Sequence, residues 1–281
     1  MKKIFWIASY PKSGNTWIRS IITSLFFTDD GKFNFSYLNY IPYFDKKENY
    51  EFVKKLNIED YNNLDQIKNI SKYWHKAQKL IKIQNGNFGF FKTHYANITI
   101  GNKFNYVNKD VTNGVILIIR DPRDVVISFA KHLNYSLDKT IEIIINNNAV
   151  IKNRNNVLPM MHLNWEHFYL SWLSLNIPVL IIRYEDMIDN IETSILKIIN
   201  FFHKTYNLKI SNKEIKLANI IQSTKFENMK KMEKQLGFNE ATYGSFFRKG
   251  KTQQWQEKLT NKQVKKIENK FKNLMNKFDY F

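Results

Sequence analysis

Residues 3–17 read KIFWIASYPKSGNTW, and this stretch decides the fold. Its first part, residues 3–8, is a short apolar run of the kind that forms a buried strand. Residues 9–14 contain a proline and a glycine, which indicate a loop. A helix is expected to begin at Asn15 or Thr16, because apolar residues then repeat at helical spacing. The stretch therefore predicts a strand, a loop and a helix in direct succession.

Three further apolar runs predict strands, at Phe88–Thr93, Gly114–Arg120 and Pro178–Arg183. Helical patterns occur at residues 191–203, 211–221, 224–234 and 261–277, and another helix is expected to begin near Asp124. Apolar strands that alternate with helices are typical of a parallel sheet covered on both faces. We therefore expect an α/β fold, with a central parallel sheet flanked by helices in a single domain over residues 1–281. Ligands of such sheets bind beyond the carboxyl ends of the strands.

The amino-acid composition excludes several classes of protein and favours one that binds anions. Of the 281 residues, 43% are hydrophobic and 24% charged, which excludes a wholly disordered chain. The net charge of +18 favours anionic partners, namely nucleic acid, an acidic membrane surface or phosphate-bearing small molecules. An AT-rich genome would also place many lysines on solvated faces, so both explanations of the charge stay open. Because the chain has no cysteine, disulfides, a thiol nucleophile and Cys-ligated zinc are excluded.

Membrane and export signals are weak. No apolar stretch approaches the roughly 18 residues that a membrane span needs. The N-terminal run Ile4–Ala8 is shorter than the apolar region of about 7–15 residues in a signal peptide. The sequence predicts a cytoplasmic protein without a membrane span.

The loop at residues 10–17 is the first candidate anion site. Backbone N–H groups at a helix start bind anions, and Lys12 adds a full charge. The pattern differs from a Walker A loop, because the lysine precedes the only glycine. A turn that needs Gly14 only for its backbone conformation is the alternative.

Two other segments carry cations where ligands are expected. The third predicted strand ends in Arg120, which suits a phosphate and not the metal ion of P-loop NTPases. Ser128 lies about two helical turns further and is expected to reach the same anion. Late in the chain, residues 246–251 place three cations around a glycine, which makes either an anion clamp or a solvated basic loop.

His94 is the candidate general base. It follows the second predicted strand in the segment Phe91-Lys92-Thr93-His94, and an imidazole titrates near neutral pH. A lone histidine is otherwise more often structural. The six histidines show no metal-binding spacing, so no metal site is predicted.

Together these segments resemble the sulfotransferases that use 3′-phosphoadenosine 5′-phosphosulfate (PAPS). The likeness runs from Ile4 to about Phe271, in the family's order. Residues 10–17 are similar to the family's Y-P-K-S-G-T-T-W loop, with Asn15 in place of a threonine. The resemblance implies a P-loop-kinase-like architecture, PAPS as co-substrate, 3′-phosphoadenosine 5′-phosphate (PAP) as its desulfonated form, and no metal.

The resemblance also implies roles for individual residues. His94 would be the catalytic base, Lys12 would follow the charge onto the leaving phosphate, and Lys92 would stabilise the transferring group. The 5′-phosphosulfate loop would comprise Lys12, Ser13, Gly14, Asn15, Thr16 and Trp17. The other nucleotide-binding positions would be Arg120 and Ser128 at the 3′-phosphate, Tyr184 near adenine, Thr224 and Phe226 close to the nucleotide, and Arg248, Lys249 and Gly250 closing on the 3′-phosphate.

Some positions depart from the family's pattern. Thr252-Gln253-Gln254 replaces the expected A-G-D before Trp255. The family's dimerisation segment would fall at Gln256–Lys265, where only Thr260 matches, so the oligomeric state stays open. The acceptor is expected to be a small molecule or a glycan, with either a hydroxyl or an amine. Loops at residues 29–85, 95–112 and 235–247 are expected to bind it.

Two other functions are compatible with parts of the sequence. A P-loop small-molecule kinase would need Mg²⁺ and ATP, and both the early lysine and Arg120 argue against it. A non-catalytic nucleic-acid-binding protein is suggested by the charge and the many aromatic residues. No nucleic-acid-binding motif accompanies them, so we expect no nucleic-acid partner.

Overall fold

The computed structural model describes residues 3–53, 64–83, 86–151, 156–241 and 243–281. Its strands are β1 (Ile4–Ser9), β2 (Gly89–Thr93), β3 (Thr99–Ile100), β4 (Phe104–Asn105), β5 (Thr112–Ile119), β6 (Val150–Ile151), β7 (Met160–Met161) and β8 (Val179–Arg183). The main sheet has the order β2-β1-β5-β8, while β3-β4 and β6-β7 are small antiparallel pairs. Strands β1 and β2 pair in parallel, with Ile4 opposite Gly89 and Ala8 opposite Thr93.

The helices cover most of the rest of the described chain. They are α1 (Asn15–Phe27), α2 (Leu64–Ser71), α3 (Trp74–Leu80), α4 (Pro122–Leu133), α5 (Leu137–Ile145), α6 (Trp165–Leu173), α7 (Tyr184–Asp189), α8 (Ile191–Tyr206), α9 (Lys213–Ser223), α10 (Phe226–Leu236), α11 (Trp255–Lys258) and α12 (Asn261–Lys277). Short 3-10 helices lie at Phe35–Tyr40 and Lys47–Tyr50. The predicted α/β fold, a parallel sheet flanked by helices, is confirmed. Within the described ranges, no helix is long and apolar enough to cross a membrane.

The bounds of the elements follow from local chemistry. All six residues of β1 are buried, as expected for a strand with helices on both faces of its sheet. Strand β5 ends at Ile119, so Arg120 is the first residue after the strand and not, as the sequence had predicted, its last residue. Helix α4 begins at Pro122, two residues before the predicted start. The Asp121 carboxylate caps it by accepting the Arg123 N–H at 2.8 Å, and proline suits the first helical position.

The chain forms two compact units, each assembled from three stretches. The first unit consists of Met1–Tyr10, Pro42–Leu117 and Ile143–Val179, and the second of Pro11–Ile41, Ile118–Glu142 and Leu180–Phe281. The core of the first unit is rich in aromatic rings, among them the fully buried Trp6, Trp74, Tyr106 and Trp172. The second unit includes a cluster of buried side chains formed by Phe33, Leu38, Met229 and Phe247.

Candidate active site

The loop before α1 packs on the start of α7, within the second unit. Gly14 adopts a left-handed conformation (φ 102°), and a Cβ there would lie 2.7 Å from Cδ2 of Tyr184. Only glycine therefore allows this contact, because any other side chain would collide with the ring. The Trp17 indole meets the Tyr184 ring edge-on, with 5.9 Å between centroids. Three predicted nucleotide-binding residues thus lie together.

Arg120 connects this loop to the basic segment, which we define as residues 248–251. Arg120 is only 6% exposed, and its guanidinium carbon lies 4.1 Å from the centroid of the Tyr184 ring. Nη1 donates to the Lys12 carbonyl at 3.1 Å, and Nη2 donates to the Lys251 carbonyl at 3.2 Å. A buried cation therefore joins two parts of the chain that the sequence separately assigned to phosphate binding.

Cations crowd around the basic segment. Burial lowers the pKa of Lys131, and the neighbouring charges of Arg248, Lys249 and Lys258 lower it further. Burial also lowers the pKa of Arg248, with a second contribution from Arg120. Like charges that oppose each other's protonation favour a bound anion, which would relieve the repulsion. Lys131 was not among the predicted site residues, although it lies one helical turn after Ser128 on α4.

A cavity of about 320 Å³ opens beside the basic segment. That volume lies near the lower end of the rough 300–1,000 Å³ range of ligand pockets. Gly250 has φ 57°, and a Cβ there would collide with the Phe226 ring, so the Gly250 backbone packs directly against this ring. The cavity is lined by Phe226, Glu227, Lys230, Arg248, Lys249, Lys251, Thr252, Gln253, Gln254 and Glu257.

The other predicted nucleotide-binding residues are buried or half-buried, and Thr16 and Thr224 contact other groups of the protein. Ser13, Asn15 and Thr16 are buried around the start of α1, and the Thr16 hydroxyl lies 3.3 Å from Oε2 of Glu240. The buried Thr224 hydroxyl donates to the Ile220 carbonyl at 2.7 Å, and Thr224 lies at the C-terminal end of α9. Ser128 is half-buried on α4. Ligand contacts of all these residues stay predictions.

Lys92 and His94 belong to the first unit, at the end of β2. The Lys92 ammonium lies 4.2 Å from the centroid of the Tyr43 ring, although the residue is only 3% exposed. His94 is 8% exposed, and its Nδ1 lies 2.7 Å from the Ser9 carbonyl oxygen. Because a carbonyl only accepts hydrogen bonds, Nδ1 carries the proton in this contact. In a neutral imidazole with this tautomer, the lone pair that a base needs lies on Nε2.

Asp45, a buried carboxyl beside the same strand end, was not among the predicted site residues. It accepts hydrogen bonds from the Thr93 hydroxyl at 3.0 Å and from the Tyr106 hydroxyl at 3.0 Å. Burial raises the pKa of Asp45 to about 7, against the lowering effect of these two hydrogen bonds. Thr93 lies between Lys92 and His94, so this network fixes the backbone that carries both. The sequence signal that could have indicated Asp45 is an acidic residue directly after the aromatic pair Tyr43-Phe44.

Part of the expected acceptor region is not described. Residues 54–63, 84–85 and 242 of the loops assigned to acceptor binding lie outside the described residues. Where the structure does describe the chain, no group of three or more His, Asp or Glu side chains is arranged to hold a metal ion.

Comparison with known proteins identifies the family. The chain is 24% identical to luciferin sulfotransferase of Photinus pyralis over 283 aligned positions, which cover 93% of this chain and 69% of that protein. Its fold is similar to mouse sulfotransferase SULT7A1 complexed with PAP, with TM-score 0.60 and 19% identity over 99% of this chain and 85% of that one. It is also similar to retinol dehydratase in complex with androsterone and inactive cofactor PAP, with TM-score 0.62 and 19% identity over 97% and 80% of the two chains. A family profile described as the sulfotransferase domain matches residues 2–279, and the chain therefore belongs to the sulfotransferase family.

Proposed function

We propose that the chain, acting as one domain over residues 1–281, transfers a sulfuryl group from PAPS to a hydroxyl or amine of a small-molecule or glycan acceptor. The observation that carries the proposal is the position of Arg120. Its guanidinium bonds the Lys12 carbonyl of the loop and the Lys251 carbonyl of the basic segment. These are the segments that the family resemblance assigns to the two phosphate-bearing ends of PAPS.

The second unit has groups that suit such a nucleotide. Lys12 and the backbone N–H groups of residues 13–16 would hold the 5′-phosphate, because amides at a helix start favour anions. Arg248 and Lys249 repel the Lys131 charge, and Arg120 repels Arg248; a 3′-phosphate would relieve both repulsions. Arg120 and Ser128 complete that end in the family pattern. Tyr184, Phe226 and Thr224 are the candidates for the adenosine, and Gly250 lets the basic segment pack directly on the Phe226 ring.

In the reaction, His94 would accept the acceptor's proton on Nε2. The Ser9 carbonyl, which bonds Nδ1 at 2.7 Å, would orient the ring and stabilise the imidazolium that forms. PAPS supplies a sulfuryl group whose bond to the 5′-phosphate oxygen breaks as the bond between sulfur and the acceptor forms. The electron pair of the broken bond stays on that phosphate oxygen, where Lys12 would balance the charge. Lys92 would stabilise the transferring group.

The basic segment and the absence of cysteine support proposals about the binding partner and the cellular compartment. The basic segment and its cavity suit a small anion, so we propose no nucleic-acid partner. A chain without cysteine is compatible with a reducing compartment, and we propose the cytoplasm.

A screen with sulfur-labelled PAPS against alcohols, phenols, amines and sugars tests the proposal. We expect label in at least one class of acceptor, without added metal. The Lys12→Ala variant should lower turnover by roughly 10²–10³-fold, by analogy with the loss of one charge-stabilising donor. Absence of transfer to every class, together with Mg²⁺-dependent phosphoryl transfer from ATP, would establish a kinase and contradict the proposal.

A further inference from the structure

Glu233 on α10 anchors the chain just before the basic segment. Its Oε2 accepts the Ser245 hydroxyl at 2.7 Å and the Phe247 N–H at 2.9 Å. Its Oε1 accepts the Phe246 N–H at 2.5 Å. One half-buried carboxylate thus holds three consecutive residues, and hydrogen bonds to a charged acceptor are about twice as strong as neutral ones.

The three residues that Glu233 holds are followed directly by the basic segment, which is proposed to bind the nucleotide. Phe247 is 6% exposed and packs in the apolar cluster of the second unit, while the Phe246 ring lies 3.9 Å from Nζ of Lys12. Arg248 is the next residue along the chain. The backbone from which the Arg248 side chain extends is therefore fixed by Glu233 from one side.

The chain that follows the basic segment is also held by side-chain contacts. The Trp255 N–H donates to Oδ1 of Asp124 at 3.1 Å, and the Arg123 guanidinium lies 3.8 Å from the centroid of the Trp255 ring. Between the two anchors, Arg120 bonds the Lys251 carbonyl. The basic segment is therefore held by Glu233 on its N-terminal side, by Arg120 at Lys251, and by Asp124 on its C-terminal side.

Electrostatics explains why an anchor is needed. Arg248, Lys249 and Lys251 lie within four residues, and Arg248 and Lys249 oppose the protonation of Lys131. Repulsion would drive such a segment away from its neighbours whenever no anion is bound. An anchor that holds the cations together beforehand lowers the cost of ordering them when a ligand arrives.

We propose that Glu233 is a positioning residue for recognition of the nucleotide's 3′-phosphate. It preorganises Arg248 and Lys249 by holding residues 245–247. The inference rests on the proposed function, because it takes the basic segment as the part that binds that phosphate. It requires that loss of Glu233 weaken binding of nucleotides that carry a 3′-phosphate and spare those that lack it.

Isothermal titration of the full chain with PAP and with adenosine 5′-phosphate tests this requirement. Glu233→Ala should raise the Kd for PAP about tenfold or more, equivalent to one charge-assisted hydrogen bond, and change the Kd for adenosine 5′-phosphate less than about threefold. Ser245→Ala removes one of the three donors and should raise the Kd for PAP only about two- to threefold. In turnover assays, KM for PAPS should rise while kcat at saturating PAPS stays unchanged.

Glu214→Ala is the matched control, because it removes one negative charge from an exposed position on α9. It should leave both affinities unchanged. If Glu233→Ala does not fold, as judged by thermal unfolding, Glu233→Gln and Ser245→Ala carry the test, since the glutamine keeps one accepting oxygen. An unchanged Kd for PAP, or equal losses for both nucleotides, would overturn the role of Glu233. Failure of the wild-type chain to bind PAP would instead contradict the proposed function.

Discussion

The basic segment of the second unit and the end of β2 in the first unit hold their candidate functional groups in opposite ways. In the second unit, Lys249 and Lys251 are exposed and Arg248 is half-buried, with other cations as neighbours. In the first unit, Lys92 and His94 are almost fully buried beside aromatic rings and a carboxyl group. The exposed cations suit a charged ligand that must enter and leave, whereas burial suits a proton acceptor whose tautomer and orientation must be fixed. The contrast predicts that substitutions in the basic segment alter nucleotide binding and that substitutions at the end of β2 alter the chemical step.

The largest effect is expected at His94. Removing a general base typically costs about 10²–10⁴-fold in rate, so His94→Ala should lower kcat by that factor. The affinity for PAP should stay within about twofold of wild type, since we assign this residue to chemistry and not to nucleotide binding. Turnover measurements and PAP titration together check both parts. His75→Ala, at an exposed position on α3, is the control and should have wild-type activity. A fully active His94→Ala protein would show that another group takes the proton.

A smaller effect, on binding alone, is expected at Arg248. Arg248→Ala should raise the Kd for PAP by about 10–100-fold, because it removes charged hydrogen bonds to a phosphate. The affinity for adenosine 5′-phosphate should fall much less. Competition binding with the two nucleotides measures the difference, and Lys262→Ala, at an exposed position of α12, should resemble wild type. Equal losses for both nucleotides would contradict the assignment of Arg248 to the 3′-phosphate.

A change in stability, and not in binding or turnover, is expected in the first unit. Burial raises the pKa of Asp45 from its ordinary 3.8 to about 7, so the folded chain holds this proton more tightly than the unfolded chain. The free energy of unfolding should therefore fall as the pH rises from about 4 to 7, by about 4 kcal/mol at most. Asp45→Asn keeps an accepting oxygen for Thr93 and Tyr106 but cannot ionise, so this decrease should disappear.

Denaturant unfolding of both proteins between pH 4 and 8 checks the Asp45 prediction. His162 has the opposite influence, because burial lowers its pKa to about 4 and its stabilising effect is lost as the pH falls. This contribution is common to wild type and variant, so the difference between the two curves isolates Asp45. Parallel curves would show that Asp45 does not titrate in this range.

Local patterns predicted a large part of this arrangement. The succession of β1, loop and α1 follows from the alternation of an apolar run, a proline-glycine loop and helical spacing, all within residues 3–27. The positions of β2, β5 and β8 follow from continuous apolar runs. Helix α6 was not predicted, because aromatic residues lie on several of its sides and its amphipathic period is weak.

Contacts between distant residues could not be predicted in the same way. The bond from Arg120 to the Lys251 carbonyl joins residues 131 positions apart, and Asp45 and Tyr106 are 61 positions apart. Glu233 meets Ser245 across a turn of the chain that no residue pattern specifies. Such contacts depend on tertiary packing, and a single sequence carries no local signal for them.

Titration calorimetry of the wild-type chain with PAP is the decisive test of whether this chain binds a nucleotide that carries both a 3′- and a 5′-phosphate. We expect saturable binding of one PAP per chain, tighter than the binding of adenosine 5′-phosphate, and no displacement of PAP by equimolar ATP. A flat titration, or displacement of PAP by ATP, would contradict the proposed function.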